Sequence, residues 1–113
     1  MAPSISELNR ATGPKIIDTH HHFYAPAYLK AWNDWEDKRN IAHSPAVANW
    51  SPARTVEEMD KNGVGTSILS LPSTPGIWFD AGEDEATRIA RICTEFGAEM
   101  SRNYPGRFGL FAA

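Results

Sequence analysis

The sequence predicts an α/β fold with parallel strands, and two observations support this prediction. Three short apolar runs, at 15–18, 65–72 and 107–113, have the length of β-strands. Segments with the apolar spacing of helices lie between them. Strands that alternate with helices form right-handed βαβ units, in which the strands run parallel. Because a parallel sheet needs cover on both faces, we interpret the 113 residues as the opening portion of a larger fold.

A flexible, polar lead-in over residues 1–14 is predicted to precede the first strand. It has no continuous apolar core, so we do not interpret it as a secretory signal. The strand, "KIID" at 15–18, runs directly into three consecutive histidines. The next helix is predicted over 26–39, where three aromatic side chains at i, i+4 and i+7 form one apolar stripe: Tyr28, Trp32 and Trp35.

A second helix is marked at both of its ends, after a connecting loop with two prolines. Ser51 is predicted as its N-cap and Pro52 as its first helical residue. Gly63 follows the last turn, where glycine commonly ends a helix. Two apolar side chains of this helix are expected to point inward, Val56 and Met59.

The second half of the chain continues the alternation. A strand at 65–72 is followed by a turn-rich loop at 73–84 and by the longest helix, at 83–103. That helix places six small or apolar residues on one side: Ala86, Ile89, Ala90, Cys93, Phe96 and Met100. A cysteine on such a stripe behaves as a small hydrophobic residue, so we reject a nucleophilic role for Cys93. A third strand is predicted over 107–113.

Composition excludes several classes of partner. The net charge of −3 provides no basic stripe, so binding to nucleic-acid phosphates is not expected. No apolar stretch reaches the length of a membrane span, and no membrane partner is expected. A single cysteine cannot form an internal disulfide, which suggests a reducing compartment. A cytoplasmic location is therefore the expectation.

The three consecutive histidines form the candidate site. Since alternate residues of a strand share a face, Asp18, His20 and His22 are predicted to point one way, and Thr19 and His21 the other. Two imidazoles about 7 Å apart on one face of a strand can converge on one ion. The metal-ligand candidates are therefore His20 and His22, while His21 faces a helix or a loop.

A His-x-His pair alone is a weak signal, because zinc takes three or four ligands. His43 is a candidate third ligand, although a solvated histidine in a loop is the simpler interpretation. Asp18 is either a further ligand or a deeper core residue that hydrogen-bonds neighbouring strands or a ligand histidine.

Three stretches together resemble one known family. "IIDTHHHFYAPAY" (16–28) is similar to the first strand of the amidohydrolase superfamily, which opens with Asp-x-His-x-His. "WSPARTVEEMDKNGVGTSILSLPSTPG" (50–76) and "NYPGRFGLFAA" (103–113) resemble the amidohydrolase-related (amidohydrolase 2) branch. This branch includes aminocarboxymuconate-semialdehyde, 6-methylsalicylate and resorcylate decarboxylases. The resemblance covers about 15–113.

The resemblance implies a fold and a cofactor. The fold would be the first βα units of a (β/α)8 TIM barrel of the metal-dependent hydrolase type, over 15–113 and truncated at the third strand. His20 and His22 would bind a divalent metal, zinc or alternatively manganese. The family completes its site with side chains from later strands, so we expect the short chain by itself to be inactive. No catalytic residue is assigned.

The implied reaction is the non-oxidative decarboxylation of an aromatic or unsaturated carboxylic acid, a small-molecule partner. The family also suggests a homodimer. Phe23, Tyr24 and Trp78 are candidate walls of a pocket for a flat substrate, and Ser73 is a candidate hydrogen-bond donor to it. The competing interpretation is packing for the aromatic residues and turn capping for Ser73.

Two alternatives remain open. Hydrolysis of a lactone, an amide or a phosphoester would use the same scaffold, and gain of water rather than loss of CO₂ would identify it. The second alternative is a non-catalytic βαβ module that self-associates through its open strand edges. Exposed edges make such a module prone to aggregation, so it ranks below an enzyme fragment.

Overall fold

The computed structural model describes residues 16–72 and 77–113. The elements follow in this order: β1 (Ile16–His22), α1 (Pro26–Asp37), α2 (Pro45–Ala48), α3 (Pro52–Lys61), β2 (Val64–Ser70), α4 (Ile77–Asp80), α5 (Glu83–Asn103) and β3 (Phe108–Leu110). The predicted lead-in over 1–14 and the candidate residue Ser73 lie outside the described residues.

The three strands form one parallel sheet in the order β1-β2-β3. The predicted α/β fold with parallel βαβ units is therefore confirmed. On β2 the side chains of Ser67 and Leu69 are completely buried, while those of the residues between and beside them are only half-buried. The described helices thus cover one face of the sheet more fully than the other.

The helix signals of the sequence are reproduced closely. The Ser51 side chain accepts a hydrogen bond from the Arg54 backbone N–H at 3.2 Å, which is the expected N-cap contact. Gly63 follows α3 with a φ of 71°, a conformation that glycine adopts without strain. The helix predicted over 83–103 has those bounds in the structure.

Three differences from the predicted elements concern short segments. The first strand does not end at residue 18 but continues to His22, because the histidines also pair with β2. The third strand is confined to Phe108–Leu110. Single helical turns, α2 and α4, occur in segments predicted as loops. One turn is too short to produce a detectable apolar period.

The core lies between the sheet and helices α1, α3 and α5. Its fully buried side chains include Tyr28, Phe23, Leu69, Ile89, Met100 and Cys93. Helix α5 approaches the sheet closely at Gly97, where an added Cβ atom would lie 2.7 Å from Leu110 Cδ1 and 3.2 Å from Phe23 Cζ. No helix in the described residues is long and apolar enough to cross a membrane.

Six aromatic rings form a continuous chain beside this core. Neighbouring ring centroids are 5.5 to 6.4 Å apart along the series Trp78, Tyr28, Trp32, Tyr24, Trp50 and Phe96. The chain connects the segment after β2, helix α1, the loop before α3 and helix α5. Aromatic contacts at these distances contribute beyond area burial alone, so the aromatic chain holds α1 against the rest of the fold.

Candidate metal centre

Strand β1 contains a bulge just before its last histidines. Asp18 pairs with Ser67 and His21 pairs with Leu69, so three steps along β1 match two steps along β2. Such an extra residue interrupts the simple alternation of faces. The prediction that Asp18 shares a face with His20 and His22 is therefore wrong. In register, Asp18 and His21 lie opposite the two buried positions of β2.

The side chains of His20 and His22 converge beyond the end of β1. Their Nε2 atoms are 3.3 Å apart, and the ring centroids are 4.9 Å apart with an interplanar angle of 84°. The His22 Nδ1 atom lies 3.1 Å from the Ser70 backbone carbonyl oxygen and 3.5 Å from Ser70 Oγ. Since a carbonyl only accepts hydrogen bonds, Nδ1 carries the proton in this contact. Neutral His22 then has its Nε2 lone pair available for a ligand.

Asp18 contacts the histidine run at two places. Its Oδ1 atom accepts the backbone N–H of His20 at 3.0 Å, and its Oδ2 atom lies 2.9 Å from His21 Nδ1. The backbone hydrogen bond from His20, followed by the side-chain contact with His21, lowers the pKa of the Asp18 carboxyl. Its side chain is 35% exposed, so the expectation of a deeper core position is wrong.

The His21 ring contacts the Asp18 carboxylate, whereas the rings of His20 and His22 contact each other. Together with His22, His21 lines a pocket of ≈ 380 Å³. The further walls of this pocket include Asn49, Arg54, Thr55 and Glu58, from the loop before α3 and from α3 itself. This agrees with the prediction that His21 faces a helix or a loop. The Arg54 side chain donates to the Asn49 carbonyl oxygen at 3.2 Å, which accounts for its position at this pocket.

His43, the candidate third ligand, lies away from the pair, as the simpler interpretation of a solvated loop histidine expects. His43 Nε2 lies 2.7 Å from Asp37 Oδ1 at an exposed position. Within 16–72 and 77–113, no group of three or more His, Cys, Asp or Glu side chains is arranged to hold a metal ion. The described site therefore consists of two imidazoles and the groups that orient them.

The aromatic residues predicted to line a substrate pocket differ in burial and in the side chains that they contact. Phe23 is 1% exposed and belongs to the core. Trp78 stacks on Tyr28 with ring centroids 5.5 Å apart, and Tyr24 contacts the rings of Trp32 and Trp50. Tyr24 lines the same pocket as His21 and His22, and burial raises the pKa of its hydroxyl. The packing interpretation thus describes the contacts of Phe23 and Trp78.

Sequence reasoning missed the contacts that Pro72 and Asp80 make with helix α1 and the residue Arg39 after it. The Tyr28 hydroxyl donates to the Pro72 carbonyl oxygen at 2.8 Å. Asp80 accepts from Trp35 Nε1 at 2.8 Å and pairs with the Arg39 guanidinium at 2.5 Å. These partners are more than 40 residues apart, so no local pattern could have indicated them. The Asp80 contacts hold α4 against α1. The Tyr28 contact anchors Pro72, two residues after Ser70, whose carbonyl oxygen contacts His22.

Comparison with curated proteins finds similar sequences among fungal decarboxylases. The chain is 34% identical over 97 residues to decarboxylase macB of Penicillium terrestre and 35% identical over 98 residues to decarboxylase yanB of Aspergillus niger. It is 30% identical over 97 residues to 6-methylsalicylic acid decarboxylase of Penicillium expansum. Each match covers 86% of this chain but only 28%, 26% and 29% of the respective relative.

A solved structure gives the same indication for the fold. The crystal structure of an amidohydrolase II matches 85% of this chain and 30% of its own, with a TM-score of 0.67 and 29% sequence identity. No family model matches the chain. The three parallel strands correspond to an incomplete (β/α)8 barrel. The predicted resemblance is confirmed: the chain is similar to the N-terminal part of amidohydrolase-related proteins of the decarboxylase branch.

Proposed function

We propose that the chain supplies the first part of a metal-dependent enzyme that removes CO₂, without an oxidant, from an aromatic or unsaturated carboxylic acid. The observation that carries this proposal is the convergence of His20 and His22 through their Nε2 atoms. Similarity to three decarboxylases supplies the reaction class. The chain spans less than a third of the length of those relatives. The decarboxylase activity is therefore proposed for the whole enzyme.

The two imidazoles fit a shared divalent ion. Two nitrogens at about 2.0–2.1 Å from zinc in a tetrahedral arrangement are about 3.3–3.4 Å apart. His20 and His22 hold their Nε2 atoms 3.3 Å apart, and the Ser70 carbonyl leaves the His22 Nε2 lone pair free. The competing interpretation is a direct hydrogen bond between the rings, which requires one Nε2 atom to carry a proton.

His20 and His22 would hold the metal, zinc or alternatively manganese, in this proposal. A bound divalent ion would supply Lewis acidity and lower the pKa of a coordinated water. The chain's own residues bind the ion and orient the two rings. Because zinc takes three or four ligands, we expect the 113-residue chain by itself to bind it weakly and to release no CO₂. A homodimer and a cytoplasmic location remain predictions.

The first test is the mass of the protein as its source produces it, detected with an antibody against this region. A mass well above the 12.5 kDa of this chain, about 30 kDa or more for a full barrel of typical length, supports the proposal. That protein should release CO₂ from 6-methylsalicylic acid or another aromatic acid when loaded with Zn²⁺ or Mn²⁺. The H20A and H22A variants should lose this activity, while H43A should retain it. A protein of about 12.5 kDa in its source would instead favour the non-catalytic, self-associating βαβ module.

Hydrolysis is the second candidate, because the similar solved structure is that of an amidohydrolase. The two reactions share the metal pair, so variants of His20 and His22 do not separate them. Mass spectrometry of the products does. Loss of 44 Da from an acid supports decarboxylation. A product 18 Da heavier than a lactone, or two products whose masses sum to 18 Da more than an amide, supports hydrolysis.

A further inference from the structure

The bulge in β1 requires something to fix its conformation. An extra residue in one strand leaves backbone groups without their ladder partners, and such groups need another hydrogen bond. The bulge falls between Asp18 and His21, just where His20 must turn its ring toward that of His22. The bulge conformation therefore decides whether the two Nε2 atoms meet.

One carboxylate contacts the backbone and a side chain of the bulged segment. Asp18 Oδ1 accepts the His20 backbone N–H at 3.0 Å, and Asp18 Oδ2 lies 2.9 Å from His21 Nδ1. The first contact satisfies a backbone donor at the bulge. The second holds the His21 ring toward α3. Because His21 lies between His20 and His22 in sequence, a fixed His21 limits how far the backbone on either side can rotate.

We propose that Asp18 is a positioning residue that sets the separation of the His20 and His22 imidazoles through its two hydrogen bonds across the bulge. This inference rests on the proposed metal-binding role of the pair. In the part of the chain that the structure describes, Asp18 does not form a metal-ligand group of three with His20 and His22, so we infer that it acts through the histidines rather than as a ligand. Hydrogen bonds that orient metal ligands typically change metal affinity about 10- to 100-fold.

The chain contains a matched control. His43 and Asp37 form a second histidine–carboxylate contact, with His43 Nε2 at 2.7 Å from Asp37 Oδ1, at an exposed position. The variants D18A and D37A remove equivalent groups, and H21A and H43A remove equivalent rings. Only the first member of each pair belongs to the bulge.

The test measures Zn²⁺ affinity of the full chain by isothermal titration calorimetry and counts coordinating nitrogens by Cu²⁺ electron paramagnetic resonance. The H20A/H22A double variant defines the background, and circular dichroism verifies folding. We expect D18A to weaken Zn²⁺ binding about tenfold and to reduce the Cu²⁺ signature from two imidazole nitrogens to one. D37A should match the wild type in both measurements.

Each result has a defined meaning. Wild-type affinity and two nitrogens in D18A would overturn the positioning role but leave the metal pair intact. A wild-type chain that binds no better than H20A/H22A would overturn the proposed metal pair, and the inference with it. If D18A does not fold, H21A takes its place. Weaker Zn²⁺ binding in H21A than in H43A would support the inference, and equal binding would overturn it.

Discussion

The Nδ1 atom of His22 lies 3.1 Å from the carbonyl oxygen of Ser70. The contact joins the last residue of β1 to the last residue of β2, 48 positions later. The orientation of one candidate ligand is therefore determined by the neighbouring strand rather than by its own. Pairing of β1 with β2 therefore also orients the His22 ring.

The first prediction concerns the tautomer of His22. We expect the neutral imidazole to carry its proton on Nδ1, because the Ser70 carbonyl accepts it. Long-range ¹H–¹⁵N NMR of the side chains distinguishes the two ring nitrogens. The S70A variant should give the same tautomer, since it removes the hydroxyl at 3.5 Å but keeps the carbonyl. A dominant Nε2–H form in the wild type would contradict the prediction.

The second prediction concerns the buried hydroxyl of Ser67. Among the described residues, Ser67 Oγ is the buried side-chain polar atom without a hydrogen-bond partner. Burial of such a group costs about 1–3 kcal/mol, so S67A should raise the free energy of unfolding by roughly 1 kcal/mol. Urea denaturation measures this change.

Ser101 provides the control for that variant. Its hydroxyl donates to the Phe108 carbonyl oxygen at 3.1 Å, so S101A should lower the free energy of unfolding by about 1 kcal/mol. Equal losses in S67A and S101A would show that the Ser67 hydroxyl has a stabilising partner in solution.

The third prediction concerns the close approach of α5 to the sheet. In G97A the new methyl group would lie 2.7 Å from Leu110 Cδ1, and overpacking of this kind costs about 1–3 kcal/mol. Part of that cost is offset, because alanine favours a helix over glycine by about 1 kcal/mol. We expect a net destabilisation that becomes smaller in the L110A background. An unchanged cost in a double-mutant cycle would contradict the contact with Leu110.

The fourth prediction concerns the reactivity of Cys93. The thiol is completely buried, and burial raises its pKa to about 11. Since the thiolate is the reactive form, a disulfide reagent at pH 8 should modify the folded chain slowly. Modification should become rapid in urea at a concentration that unfolds the protein. Fast reaction of the folded chain would show that α5 separates readily from the sheet.

The sequence predicted most accurately what depends on local chemistry. The bounds of α5 follow from a long apolar period, and the start of α3 follows from the Ser51 cap and Pro52. The meeting of His20 and His22 followed from the two-residue period of a strand. The two are separated by a single residue, His21, so that period still applies to them.

What the sequence could not predict depends on pairing with distant residues. The strand face predicted for Asp18 was wrong because the bulge in β1 arises from its pairing with β2, which lies elsewhere in the sequence. The Ser70 carbonyl gives no signal in the sequence, since every residue has such a group. The burial of Phe23 and the stacking of Trp78 on Tyr28 likewise depend on elements from other parts of the chain.

The aromatic chain determines what intrinsic fluorescence can report. Trp32, Trp50 and Trp78, three of the four tryptophans, lie in one continuous series of ring contacts. Excitation energy absorbed by the tyrosines in this series passes efficiently to tryptophans at such short range. The emission of these three tryptophans will therefore report the docking of α1 together, and ligand binding at His20 and His22 is best monitored with a separate probe.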